Sequence, residues 1–297
     1  MKIAFLGLGH MGLPMAVNLV KAGHSVLGFD VFPAALEAAA RQGVPVADSA
    51  EAAAAEAEVV LTMFPSGKHL LEAYRGGLLA AAPAGSLFLD CSTINVDEAR
   101  EAAGLAVAAG HRAADAPVSG GVVGAEAGSL TFMVGASAEE FAVLQPILDV
   151  MGKRAVHCGS NGAGQAAKIC NNMLLGVSML GTCEAFALAE KLGLAADRFF
   201  EIASKSSGQC WSVTTYCPVP GVGPQTPADK GYAGGFATAM MLKDLKLAQD
   251  AAAKAGASTP MGAQAEALYA MFDGLGYGGK DFSAFIQMLR GKIAELA

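Results

Sequence analysis

Residues 2–12 read KIAFLGLGHMG: a short apolar run, then glycines at positions 7, 9 and 12, with a helical pattern running from Met11 to Ala22 and stopping at Gly23. A strand that turns into a helix at this G-x-G-x-x-G spacing has few folds open to it. Gly7 permits the tight turn, Gly9 lets a diphosphate approach the backbone, and Gly12 lets the helix pack closely on the strand. The free N–H groups and positive dipole end of the helix then face the anion. An acid ends the next apolar run, SVLGFD, at Asp30, 18 residues past Gly12. Its carboxylate can accept from both hydroxyls of an adenosine ribose, and it repels a 2′-phosphate. No arginine follows it; the next residues are Val31, Phe32 and Pro33. A ligand-free glycine turn and a solvated turn acid are the bland alternatives. The strand–glycine–helix–strand–acid context weighs against both and predicts a dinucleotide site that prefers NAD to NADP.

Further apolar runs follow: EVVLTMF (58–64), SLFLDC (86–91), RAADAPV (112–118), SLTFMVG (129–135) and KRAVHCG (153–159). Alanine-rich helical stretches such as FPAALEAAARQG and NVDEAREAAGLAVAAG separate them. This alternation predicts an α/β fold with a Rossmann-type parallel sheet covered on both faces. From residue 164 the pattern changes. One proline-free helical stretch runs to about Lys191, on the order of 40 Å at 1.5 Å per residue. Asp197, Thr238, Thr259 before Pro260, and Ser283 read as starts of later helices, and no strands are evident. The expected domains are therefore 1–163, dinucleotide-binding, and 164–297, all-helical. The stretch between Ser206 and Phe236 is rich in Gly, Pro, Ser and Thr and holds the only tryptophan, Trp211. Such a long loop reads as a cover over a site, with Trp211 a candidate substrate contact, or as an oligomer contact. Simple core packing of Trp211 is the competing reading.

Length and charge narrow the partners. At 297 residues two domains are expected, and a net charge of -7 with pI near 5.2 argues against a nucleic-acid surface. A local site can still be positive in an acidic protein. The six cysteines form no C-x-x-C pair, which predicts reduced thiols in a cytoplasmic protein, and the five histidines show no metal-ligand spacing, so no metal is expected. His10, Pro14 and Asn18 interrupt the apolar N-terminus, against a signal peptide. No run reaches the roughly 18 apolar residues of a membrane span, so no membrane partner is expected.

Three segments carry candidate chemistry. In GQAAKICNNMLLGVSMLG (164–181), Lys168 and the amides Asn171 and Asn172 stand among apolar and small residues. Asn172 is four residues past Lys168 and shares its helix face. An amine and an amide projecting together can address one oxygen, the amine exchanging a proton and the amide orienting it. Desolvation and nearby positive charge would lower the lysine pKa. The plain alternative is a snorkelling lysine. In DAPVSGGVVGAEAGSL (115–130), Ser119, Gly120 and Gly121 offer a hydroxyl and unobstructed N–H groups, a cradle for a carboxylate. V-S-G-G is not a nucleophile elbow. In MLKDLKLA, Lys243 follows an apolar run with Asp244 beside it, although most such charges lie on a solvated helix face.

GLGHMG after the first strand, DAPVSGGVVGAEAGSL, GAGQAAKICNN and MLKDLKLA occur in that order, and together they resemble the motifs of the β-hydroxyacid dehydrogenase family over essentially the whole chain. The resemblance implies a Rossmann domain and an all-helical domain for substrate and oligomer contacts, in a homodimer or homotetramer. It implies Lys168 as catalytic acid/base and Asn172 as its partner in positioning a small carboxylate-bearing hydroxy acid. Ser119, Gly120 and Gly121 would hold the carboxylate. Lys243 would lie near cofactor and substrate, supported by Asp244. NAD would touch the glycine loop, His10 and Met11 included, together with Met63, Pro65, Ser66 and Thr93; the His10 slot is variable in the family, so its side chain has no assigned role. The implied reaction is oxidation of a 3-hydroxy acid to its semialdehyde, 3-hydroxyisobutyrate of valine catabolism foremost. Serine oxidation and reduction of tartronate or succinate semialdehyde are rivals within the family. The long loop around Trp211 resembles members acting on 3-hydroxyisobutyrate or serine. Imine reductases lack a lysine at the place of Lys168, and a non-catalytic NAD sensor would have no use for Lys168, Asn172 and the Ser119 cradle together.

Overall fold

The computed structural model describes residues 1–296, in two compact units that divide between Lys168 and Ile169. The first unit holds eight strands: β1 (Lys2–Leu6), β2 (Ser25–Phe29), β3 (Val59–Thr62), β4 (Leu87–Asp90), β5 (Arg112–Asp115), β6 (Val118–Ser119), β7 (Leu130–Gly135) and β8 (Gly152–Gly159). β2, β1, β3, β4 and β5 lie side by side and parallel. Every residue of β3 and β4 is buried, as a parallel sheet covered on both faces requires. Alternate residues serve opposite faces. Ile3, Phe5, Val59, Leu61, Leu87 and Leu89 join one core, while Ala4, Leu6, Val60 and Phe88 join the other. Burying each large apolar side chain contributes about 1.5–3 kcal/mol.

The sheet departs from the expected all-parallel form. β7 runs antiparallel to β5 and β6 and parallel to β8. The run RAADAPV does not form one strand but ends β5 at Asp115 and resumes as β6 at Val118. Pro117 sits in the break, where it has no N–H to give to a ladder.

A helix, Ala163–Lys191, leaves the first unit and enters the second, close to the span read from the sequence. One expectation about it needs correcting. Over its most apolar 18 residues its mean hydropathy is 1.4, so by length and composition it is long enough and apolar enough to cross a membrane. Of that window 44 % is buried inside the chain. Met179, Cys183 and Phe186 from this helix join Met241 and Leu245 of the Thr238–Ala255 helix, with Tyr269, Phe272 and Phe285, in one core. Part of its apolar face is thus core of the second unit, while Leu174 and Leu188 on the same helix are exposed.

The later helices start within two residues of where the sequence placed them. Ala195, not Asp197, precedes Ala196–Ala203, and Asp197 lies in its first turn, where its charge meets the positive helix end. Thr238 is the first helical residue, buried, and Ala237 stands before it. Thr259 does precede Pro260–Phe272, but its hydroxyl donates to Gln249 Oε1 rather than capping. Asp281, not Ser283, caps the last segment, accepting from the Ser283 N–H. The 206–236 stretch contains the short helix Trp211–Thr214 and a 3₁₀ turn, Pro227–Lys230. Trp211 is 47 % exposed and stacks on Tyr216, so it is not a core residue.

Candidate active site

The strand register gathers the loops of the first unit at one edge. Leu6 pairs with Phe29 and Thr62, Thr62 with Asp90, and Asp90 with Asp115. The segments that begin at Gly7, Asp30, Met63 and Cys91 therefore all leave the carboxyl ends of neighbouring strands, about 4.8 Å apart. Because β1 lies between β2 and β3, the chain winds in opposite senses on either side of it. This is the switch point where open α/β sheets bind ligands.

The three glycines of the first loop do different jobs. Gly7 has φ +95°, and a Cβ there would lie 2.3 Å from the Met63 carbonyl oxygen. A Cβ at Gly12 would lie 1.9 Å from the Gly7 carbonyl oxygen. Gly9 has nothing within 4 Å of the corresponding position. Two glycines thus let the protein close on itself, and the third leaves open space at the start of the Gly12–Lys21 helix, where a diphosphate needs it. His10 is exposed and Met11 half-buried at the same turn. Asp30 is held beside them. Its Oδ2 accepts the Leu8 N–H at 2.7 Å and its Oδ1 the Phe32 N–H at 2.9 Å. These bonds aim the carboxylate over the glycine turn, and each oxygen retains acceptor capacity for a ribose hydroxyl. The residues present fit a dinucleotide.

Met63 and Ser66 are half-buried and Pro65 exposed after β3, and Thr93 is half-buried after β4. Ser119 ends β6, half-buried, and pairs with Thr131 of β7. Gly120 and Gly121 follow with φ +133° and +61°, conformations that leave their N–H groups outside the sheet ladder. Lys168 is 8 % exposed on the long helix, which argues against the snorkelling alternative.

Several polar residues of this unit carry no assignment from the sequence. Asp115, the first letter of the DAPVSGG run, is 3 % exposed, and its carboxylate accepts the Gly162 N–H at 2.6 Å and the Gln165 N–H at 2.9 Å. It therefore closes the start of the helix that bears Lys168. Burial pushes its carboxyl up to about 6, against the pull of those two donors, and nearby Asp90 adds to the rise. Gln165 is fully buried, its amide joined to the Ser92–Ile94 loop. A lone amide in the run GAGQAAK, three residues before the lysine, was the available signal.

The second unit has its own polar cluster. Asn172, 2 % exposed, donates from Nδ2 to Asp244 Oδ2 at 2.5 Å, and Asn171 donates to Asn172 Oδ1 at 3.0 Å. Asp244 is buried and Lys243 half-buried on the Thr238–Ala255 helix. Asp244 thus supports Asn172. A cavity of about 440 Å³ in this unit is lined by Ser178, Thr182, Phe199, Ile202, Cys210 and Val213 among others, none of them a predicted site residue. Among the described residues, no group of three His, Cys, Asp or Glu side chains is placed to hold a metal ion.

Comparison with known proteins identifies the family of the chain. Residues 2–159 match the profile of the NAD binding domain of 6-phosphogluconate dehydrogenase, and residues 162–289 match the NAD-binding domain of NADP-dependent 3-hydroxyisobutyrate dehydrogenase. The chain is 50 % identical to the 3-hydroxyisobutyrate dehydrogenase of Pseudomonas aeruginosa, over 98 % of this chain and 99 % of that one. It is 46 % identical to the human mitochondrial 3-hydroxyisobutyrate dehydrogenase, over 97 % and 86 %. A solved structure of the Mycobacterium tuberculosis 3-hydroxyisobutyrate dehydrogenase with L-serine superposes with a TM-score of 0.94 at 51 % identity, covering 97 % of this chain and 98 % of that one. A Streptomyces aurantiacus imine reductase, at 20 % identity and a TM-score of 0.65, shares the fold alone. With its dinucleotide groove, its helical second half and identity across its length, the chain belongs to the 3-hydroxyisobutyrate dehydrogenases of the β-hydroxyacid dehydrogenase family.

Proposed function

We propose that the chain oxidises 3-hydroxyisobutyrate to methylmalonate semialdehyde, with NAD preferred to NADP. The observation that carries the reading is a lysine 8 % exposed, on a helix whose first turn is fastened to the carboxyl edge of the nucleotide-binding sheet. The glycine loop, Asp30, the 63–66 segment and Thr93 hold the dinucleotide, and Asp30 disfavours a 2′-phosphate. When bound, the nicotinamide supplies the hydride acceptor.

The chain's own groups do the rest. Ser119 Oγ and the N–H groups of Gly120 and Gly121 hold the substrate carboxylate. Neutral Lys168 Nζ takes the proton of the 3-hydroxyl as that carbon is oxidised, and in the reverse direction the ammonium returns it. Desolvation by itself favours the uncharged amine. Asn172 follows Lys168 by one helical turn and orients the same oxygen, with its amide held by Asp244. Lys243, beside Asp244 in the sequence, would add positive charge near the substrate.

A second reading is oxidation of L-serine, favoured by the L-serine in the M. tuberculosis relative's structure. Serine carries the same carboxylate and 3-hydroxyl, with an ammonium where the other acid has a methyl. Steady-state kcat/KM for 3-hydroxyisobutyrate, serine, glycerate and 4-hydroxybutyrate, with NAD and with NADP, separates the readings. The highest value is expected for 3-hydroxyisobutyrate with NAD. Lys168→Ala should lower kcat by about 10²–10⁴-fold, the usual worth of general acid/base assistance, and leave the Kd for NADH near wild type. Unaltered turnover with lost NADH binding would show that Lys168 serves the cofactor instead.

A further inference from the structure

We infer that Gln165 is a positioning residue that sets Lys168 in register with the cofactor loop after β4. The inference rests on the reading of Lys168 as acid/base. Gln165 lies in the first turn of the Ala163–Lys191 helix, three residues before Lys168, and is fully buried. Its Nε2 donates to the Ser92 carbonyl at 2.7 Å, and its Oε1 accepts the Ile94 N–H at 3.1 Å. One amide thus grips the main chain on both sides of Thr93.

That loop is itself tied into the cofactor side. Ser92 Oγ donates to Asp90 Oδ1 at 2.6 Å and accepts the Phe64 N–H at 2.7 Å, inside the 63–66 segment. Downstream, Asn95 Oδ1 accepts the Asp97 N–H and Glu98 Oε2 the Asn95 N–H, a capping box that starts the Val96–Ala108 helix. The loop is braced at both ends. On the helix side, the Asp115 carboxylate holds the N–H groups of Gly162 and Gln165, so the residue that carries the amide is itself anchored. The helix turn that bears Lys168 is therefore joined to the loop after β4 through the two buried hydrogen bonds of the Gln165 amide.

A core-filling residue would have served stability equally well. An amide with both ends used by one turn fixes direction, as planar two-point recognition does. Catalysis by a positioned base is sensitive to this, because a misplacement of about 1 Å costs on the order of 10²-fold.

The test is Gln165→Met, which conserves volume and removes both bonds, with Gln165→Asn as a shorter amide that cannot span the turn should the methionine variant fold poorly. For either variant kcat is expected to fall by about 10- to 100-fold, with KM for the hydroxy acid and the fluorescence Kd for NADH within about 3-fold of wild type. Without cofactor, amide hydrogen exchange in residues 92–95 should quicken. In a Lys168→Ala background the Gln165 change should cost nothing further, since there is no base left to misplace. A merely structural residue would lower Tm and leave kcat of the folded enzyme unchanged; that result, or a lowered kcat whose factor multiplies in full with that of Lys168→Ala, overturns the inference. If Lys168→Ala alone retains full turnover, the acid/base reading fails first and is recognised as such.

Discussion

The two units present their functional groups in different chemical forms. In the first, the groups that would meet the diphosphate and the substrate carboxylate include backbone N–H groups presented at glycine turns, at Gly9 and at Gly120 and Gly121, while Gly7 and Gly12 let the first loop close on itself. In the second, they are side chains that hold one another, Asn172 on one helix and Asp244 on another, 72 residues apart in sequence. Backbone groups are positioned by local conformation, which a glycine spacing specifies. A side-chain pair exists only when two distant helices have packed, so its geometry belongs to the core rather than to a motif. Lys168 stands at the boundary between the units and depends on Asp115 and Gln165, side chains acting on backbone.

The sharpest break of this comparison uses two glycines in one loop. Gly12→Ala places a methyl where the Gly7 carbonyl oxygen lies 1.9 Å away. Overpacking costs about 1–3 kcal/mol or more, and NADH affinity and Tm should fall together. Gly9→Ala meets nothing within 4 Å. Its Tm should hold or rise, a compatible Gly→Ala change being worth about 0.4–1 kcal/mol, while NADH binding weakens about tenfold, equivalent to about 1.4 kcal/mol. Equal losses of Tm in the two variants would mean that Gly9 is structural too.

Asp115 is the exception to backbone presentation in the first unit, and pH isolates it. Its folded value, about 6, lies above the ordinary 3.8. The folded state therefore binds this proton more tightly than the unfolded chain does. The resulting stabilisation is complete below pH 3.8 and is lost as pH rises through about 6. Against Asp115→Asn, which does not titrate, the wild type should lose on the order of 2 kcal/mol of relative stability between pH 4 and 7. Urea unfolding of both proteins across that range measures the difference, and a flat difference would mean that the carboxyl is not perturbed.

The second unit is tested through its side-chain pair. Asn172→Ala withdraws a donor from the buried Asp244 carboxylate, at a cost of about 1–3 kcal/mol. In a cycle with Asp244→Ala, the double variant should lose less than the sum of the singles. Additive losses would show that the two side chains do not hold each other.

Much of the first unit was legible from the chain alone. The strand runs, the glycine loop and Asp30 are local patterns, and the structure places them as read. The antiparallel β7 was not legible, because apolar alternation is the same in either strand direction. The split of RAADAPV is marked in the sequence by Pro117, which has no N–H for a ladder, although the apolar run around it reads as one strand. In the second unit Asp197, Thr238 and Ser283 were misplaced as caps because polar residues near a helix start satisfy the pattern equally at several positions; the backbone turn decides among them. Trp211 was ambiguous for want of any periodicity in its loop.

What the sequence determined by itself was a dinucleotide half, a helical half and a lysine in an apolar helix, all consequences of short-range spacing. What tertiary structure decided was which distant groups hold those pieces: Gln165 to the loop 73 residues before it, and Asn172 to Asp244. The physical reason is that a buried hydrogen bond between remote side chains is fixed by packing, and packing is a property of the assembled core rather than of any stretch of chain.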